Sequence, residues 1–158
     1  CDQAERILLA QIHARLDFPS TLRAIHAMCG YVKAHWPQHA SHPIYVEDAA
    51  NGPAVIQSLR RGVPGIQGVR PDGGKISRAH NIAHIPEARQ VILPEGLVPA
   101  PDGYERTRVD VLLDELAGFP NAAHDDQVDA MTQALSKLAQ AAKVRVRGGG
   151  SGLRDTSR

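Results

Sequence analysis

The chain has 158 residues, of which 42% are hydrophobic and 22% charged, the balance of a single globular domain with a real core. Its formal charge of +1 neither demands nor excludes a polyanionic partner, and it has no apolar run near the ~20 residues of a membrane span and no signal peptide. Cys1 and Cys29 form no C-x-x-C pair, which excludes a structural zinc ribbon and points to a reducing compartment.

Only 4% of the residues are aromatic, so the core must be built from Ala, Leu, Ile and Val. Residues 6–16 read as a strand with partial alternation. Asp17 and Pro19 then open a helix that runs to about residue 35, with Leu22, Ile25, Met28, Cys29 and Val32 on one stripe and Trp36-Pro37 as its stop. Residues 42–47 read as a short strand ending in Glu47. Asp48-Ala-Ala-Asn-Gly-Pro53 is a turn, with Asn51 expected to cap a helix over 53–61 through its side chain. A strand over 65–70, a Gly73-Gly74 turn, a helix over 75–85 and a strand over 90–94 follow. A Pro-rich loop spans 97–103. Helices are expected over 104–118 and 125–143, with 144–158 as a flexible, basic, Gly-rich tail. Strands alternating with helices predict an α/β layer fold around a partly parallel sheet.

The densest chemistry lies at His124-Asp125-Asp126-Gln127-Val128-Asp129, three carboxylates within five residues at a helix start. Asp126 and Asp129, three apart, share one helical face. Carboxylates this close resist ionising together unless a positive charge sits between them, and a divalent cation with oxygen ligands is the economical answer. The same residues also suit the positive end of a helix dipole. Glu47 is a second candidate ligand, because ligands in open α/β sheets sit at the carboxyl ends of strands. His124 is a possible accessory group beside the acidic cluster.

Gly73-Gly74-Lys75-Ile76 superficially suggests an ATP-binding loop, but Val69 stands where its first glycine belongs and Ile76 where Ser or Thr would hold Mg²⁺. Lys75 and Arg78 are expected instead to contact a DNA phosphate. His80 and His84 have i, i+4 spacing without the glutamate of a metalloprotease helix. They, with His35, His39 and His42, read as surface or packing residues.

Tyr45-Val-Glu-Asp-Ala-Ala-Asn-Gly-Pro-Ala-Val-Ile-Gln-Ser-Leu59, Pro71-Asp-Gly-Gly-Lys-Ile-Ser-Arg-Ala79, Val91-Ile-Leu-Pro94 and Glu115-Leu-Ala-Gly-Phe-Pro-Asn-Ala-Ala-His-Asp-Asp-Gln-Val-Asp-Ala130 follow one another in this order. The ordered set, over about residues 5–140, resembles the C-terminal nuclease domain of the terminase large subunit of tailed phages and prophages. That resemblance implies an RNase H-like fold, a mixed central sheet flanked by helices over residues 1–143. It implies a hydrolase, a two-metal endonuclease that cleaves concatemeric phage DNA during genome packaging in the cytoplasm of the bacterial host. It further implies two Mg²⁺ or Mn²⁺ ions, with double-stranded DNA, the terminase small subunit and the portal protein as partners. Glu47 matches the family's second acidic position and Asp126 the third, with Asp129 or Asp125 beside it. The spacing is also similar to the last helix of RuvC-type resolvases.

The family's first acidic ligand is expected on a strand upstream of residue 6. The chain therefore reads as N-terminally truncated, expected to bind metal weakly and to cleave poorly or not at all alone. The alternatives are a non-catalytic DNA- or portal-docking remnant and a RuvC-type resolvase.

Overall fold

The computed structural model describes residues 5–71 and 73–148, with side chains through residue 142. Arg6–Ile7 forms β1, Phe18–His35 α1, Ile44–Glu47 β2, Gly52–Leu59 α2 and Ile66–Val69 β3. Lys75–Ile82 forms α3, His84–Glu87 α4, Val91–Ile92 β4, Val109–Gly118 α5 and Asp126–Gly148 α6, with a 3₁₀ turn at Pro37–His39. The strands pair as two separate two-stranded parallel sheets, β1 with β4 and β2 with β3. The mixed central sheet expected from the resemblance is thus represented, among the described residues, by two small parallel ladders and one antiparallel bridge, Leu97 with Arg108.

The long strand expected over 6–16 stops after Ile7. The segment keeps two further backbone bonds, from Leu8 N–H to Ile92 (3.0 Å) and from Gln11 N–H to Pro99 (2.8 Å). Its partner segment contains Pro94, Pro99 and Pro101, which have no N–H to give, so the ladder cannot continue. The helix expected from residue 104 begins at Val109 instead. Thr107 accepts from Val98 N–H and Gly96 accepts from Val109 N–H, both at 2.8 Å, so the chain before Val109 turns back on 96–98 before it can coil. The helix expected over 75–85 divides at Ala83, and Pro86 in the second piece removes an intrahelical donor. At the other end α6 continues to Gly148, past the expected stop at Lys143, and the tail beyond 148 lies outside the described residues.

α1 begins as its sequence predicts. Asp17 accepts from Ser20 N–H at 2.8 Å, and Lys33 and His35 sit in the last turn, where the dipole favours cations. Asn51 occupies the N-cap position of α2, but its side chain makes no cap bond. The cap role expected of it is corrected: its backbone is already helical, φ −85° and ψ −3°, so its side chain is not presented to the first-turn amides.

Two apolar clusters hold the elements in place. Val55, Leu59 and Val63 gather Leu22, Ile25 and Cys29 of α1 with Ile44 and Val46 of β2 and Ile66 of β3. Ile82, Ile85 and Leu135 join α3, α4 and α6, with Val91 and Met131 against them. The first cluster positions the C-terminal end of β2; the second lays α6 beside α3. The start of α6 and the end of β2 thereby meet at one cleft.

Candidate functional site

Glu47 is the last residue of β2, and strand alternation turns its side chain to the exposed face while Val46 enters the core. The chain must leave the strand tightly there. A Cβ on Gly52 would lie 1.8 Å from the Glu47 carbonyl oxygen, so only glycine allows α2 to start against the strand end. Ala50, in the same turn, has a φ of 47°, a conformation that L side chains rarely adopt. Asp48 accepts an ion pair from Arg70 at 3.1 Å, tying the end of β2 to the end of β3.

Glu47, Asp126 and Asp129 line one cleft of about 400 Å³, together with Tyr45, Gln133 and Lys137. Gln133 donates to Glu47 at 3.3 Å, and the Lys137 ammonium lies 5.2 Å from the centre of the Tyr45 ring, a cation–π contact. The structure thus brings together Glu47, Asp126 and Asp129, three of the four carboxylates offered from sequence as candidate ligands, and leaves Asp125 outside the cleft lining.

It does not treat the three aspartates alike. Asp125 accepts from the Lys75 ammonium at 2.8 Å. That hydrogen bond, the largest influence, raises the Lys75 pKa against the opposing effect of desolvation, and the charges of Asp125, Asp129 and Asp126 add to the rise. Asp129 pairs with the Arg78 guanidinium, and the side chains of the two are only 13% and 11% exposed. Arg78 also donates to the Gly73 carbonyl at 2.8 Å, while its Nε is buried without a partner. Asp126 is exposed and has no hydrogen-bond or ion-pair partner among the described residues. Lys75 and Arg78, expected at a DNA phosphate, thus have protein carboxylates as their partners.

Sequence reasoning missed the group that fixes the start of α6. Glu115 of α5 is buried, 8% exposed, and one of its oxygens accepts from the N–H groups of Gln127 (2.6 Å) and Val128 (3.0 Å). Its other oxygen accepts from the Gln127 side chain at 2.9 Å, and the Gln127 oxygen accepts from Gln11 at 2.8 Å. A carboxylate from another helix thus satisfies the free first-turn amides of α6. The available signal was a glutamate among Val109, Leu112 and Leu116 on the apolar stripe of α5. His124, the accessory candidate, is exposed and lines an adjoining cleft with Asp126. His39 and His42 stack on each other, their rings 5.3 Å apart, as surface residues.

All the candidate ligand atoms are carboxylate oxygens, the donor set of a hard divalent cation. Among the described residues, no group of three or more His, Cys, Asp or Glu is gathered closely enough to hold a metal. The residues therefore fit an ion held by one or two carboxylates and completed by water and phosphate oxygens, as is usual for Mg²⁺, and do not fit an all-protein cage. The residues that line the cleft carry three carboxylates, Glu47, Asp126 and Asp129, against one cation, Lys137.

Residues 6–138 match the family model described as the terminase RNase H-like domain. No curated protein matches the chain, and no solved structure does. No helix among the described residues is long and apolar enough to cross a membrane.

Proposed function

Because the chain belongs to the terminase RNase H-like domain family, we propose that the Glu47–Asp126 cleft is the nuclease centre of a terminase large subunit, a metal-dependent endonuclease acting on concatemeric DNA during packaging. The observation that carries this reading is the convergence of the β2 carboxylate and an unpartnered α6 carboxylate on one open cleft.

Glu47 and Asp126 are the residues that would hold Mg²⁺ or Mn²⁺. A bound divalent cation supplies Lewis acidity at the scissile phosphate and lowers the pKa of a bound water. Asp129 and Asp125 have a different part. Their charges are met by Arg78 and Lys75, so they fix α3 against α6 and leave Asp126 as the free carboxylate of the cluster. Gln133 orients Glu47 toward the cleft, and Glu115 holds the first turn of α6 so that Asp126 faces it. The family's two-ion arrangement calls for further oxygen donors beyond these two carboxylates, and phosphate oxygens of the DNA are of the right chemistry. The terminase small subunit and the portal protein are the partners this reading carries, with the host cytoplasm as its place of action.

The test is plasmid cleavage in Mn²⁺ by the intact subunit and its Asp126→Asn variant. Asp126→Asn is expected to abolish cutting and spare DNA binding; undiminished cutting would show that the essential carboxylate has been assigned to the wrong residue.

A further inference from the structure

The cleft of Glu47 and Asp126 does not end at the carboxylates. Toward the start of α6 it shares Asp126 and Ala130 with a cleft of about 570 Å³, lined also by His13, Arg15 and His124. Toward the other end it shares Val69, Gln133 and Lys137 with a cleft of about 320 Å³ that adds Arg70 and His84. Through these shared residues the three clefts follow one another along α6 from Asp126 to Gln140. At 1.5 Å per residue that is roughly 21 Å. It corresponds to about six nucleotides of one duplex strand, at 3.4 Å each.

The charges along this trough are ordered. Glu47 and Asp126 line the central cleft with Lys137, Arg15 lines the cleft beyond Asp126, and Arg70 lines the cleft beyond Gln133. Arg15 is exposed and has no ion-pair partner among the described residues. Residues 12–16, which include Arg15, make no backbone–backbone hydrogen bond among the described residues. At the opposite end the Arg70 side chain is 86% exposed; one of its nitrogens meets Asp48 and its other donors have no partner among the described residues. Lys137 stands between the central and far clefts.

We propose that this trough is the track of a polynucleotide backbone. Arg15 grips phosphates on one side of the cut, and Arg70 and Lys137 grip them on the other. The assignment rests on the nuclease reading above and moves the phosphate contacts from Lys75 and Arg78, which hold Asp125 and Asp129, to Arg15, Arg70 and Lys137. The pattern explains why cations flank the carboxylates without neutralising Asp126: the backbone is held by its neighbours while the central phosphate lies against an acidic centre that accepts it only with a metal ion.

The experiment is the salt dependence of binding of the full chain to a fluorescent 20-base-pair DNA duplex, read by anisotropy in Ca²⁺. Each neutralised phosphate contributes about 0.9 to the log–log slope. R70A/K137A is expected to lower the slope by about 2 and R15A by about 1, with the thermal midpoint of R15A unchanged. Arg15→Lys is expected to restore the slope. R60A/R61A removes two exposed charges that line none of the three clefts and is expected to leave it unchanged. If R70A/K137A and R15A instead behave like R60A/R61A, the track is overturned. The metal reading fails separately: Mn²⁺ binding unaffected by E47Q/D126N would remove the nuclease centre, whatever the slopes show.

Discussion

At the scale of single residues, the site turns on which of three neighbouring aspartates is free. Asp125 and Asp129 meet cations about fifty positions earlier in the chain, Lys75 and Arg78, while Asp126 meets none among the described residues. The three substitutions are therefore expected to separate. Asp126→Asn should lower Mn²⁺ affinity at least tenfold and leave the thermal midpoint within a degree or two of its starting value. Asp129→Ala should cost about 2 kcal/mol in urea unfolding, because it strips a charged hydrogen bond from a mostly buried Arg78. Equal loss of stability for both would contradict the division. Lys75 gives a pH signature. Its pKa is raised in the fold, so its contribution is complete below the ordinary value of 10.5 and is lost as pH rises through the higher folded value. Stability is expected to fall above pH 10.5, and K75M to flatten that fall; an unchanged alkaline limb in K75M would show the pair to be inert. The acidic cluster itself was legible in the sequence. The pairing was not, because partners fifty residues apart depend on how α3 lies on α6.

At the scale of elements, each end of the site is set by one unusual contact. Glu115 serves as a cap supplied from outside α6, accepting from two of its first-turn amides. Glu115→Ala leaves both amides buried without an acceptor and is expected to cost roughly 3 kcal/mol. Glu115→Gln, which keeps one oxygen, should recover most of that. Both are measurable by chemical denaturation, and a loss under 0.5 kcal/mol in the alanine variant would refute the cap. Gly52 governs the other end. Gly52→Ala places a methyl against the Glu47 carbonyl, and its expected result is a displaced β2 terminus, read as shifted Glu47 and Asp48 amide resonances. The element order was readable from periodicity and turn residues: α1, β2, α2 and β3 lie within two residues of the expected bounds, and α6 starts where expected. The late start of α5 and the early stop of β1 have a common cause. The segment over 6–16 has the composition of a strand and α5 the composition to start earlier, but pairing and coiling are decided by proline-rich residues 94–101 and by the backbone bonds of residues 96–98.

At the scale of the whole molecule, two small parallel ladders are bridged by α6, and the carboxyl end of one of them faces that helix across an acidic cleft with basic ends. Family membership over residues 6–138 was legible from ordered motifs, since these sit where the turns and helix starts are most constrained. The trough was not legible, because Arg15, Arg70 and Lys137 are scattered in sequence and carry no motif. The account stands most directly on Glu47 and Asp126 holding one divalent cation together. Titrating Mn²⁺ into the ¹⁵N-labelled chain and following paramagnetic broadening tests it. The expected result is that amide signals around Glu47 and Asp126 broaden first and together, and that E47Q and D126N each abolish the effect at both. Broadening that centres on Asp125 and Asp129, or that survives both substitutions, would contradict it.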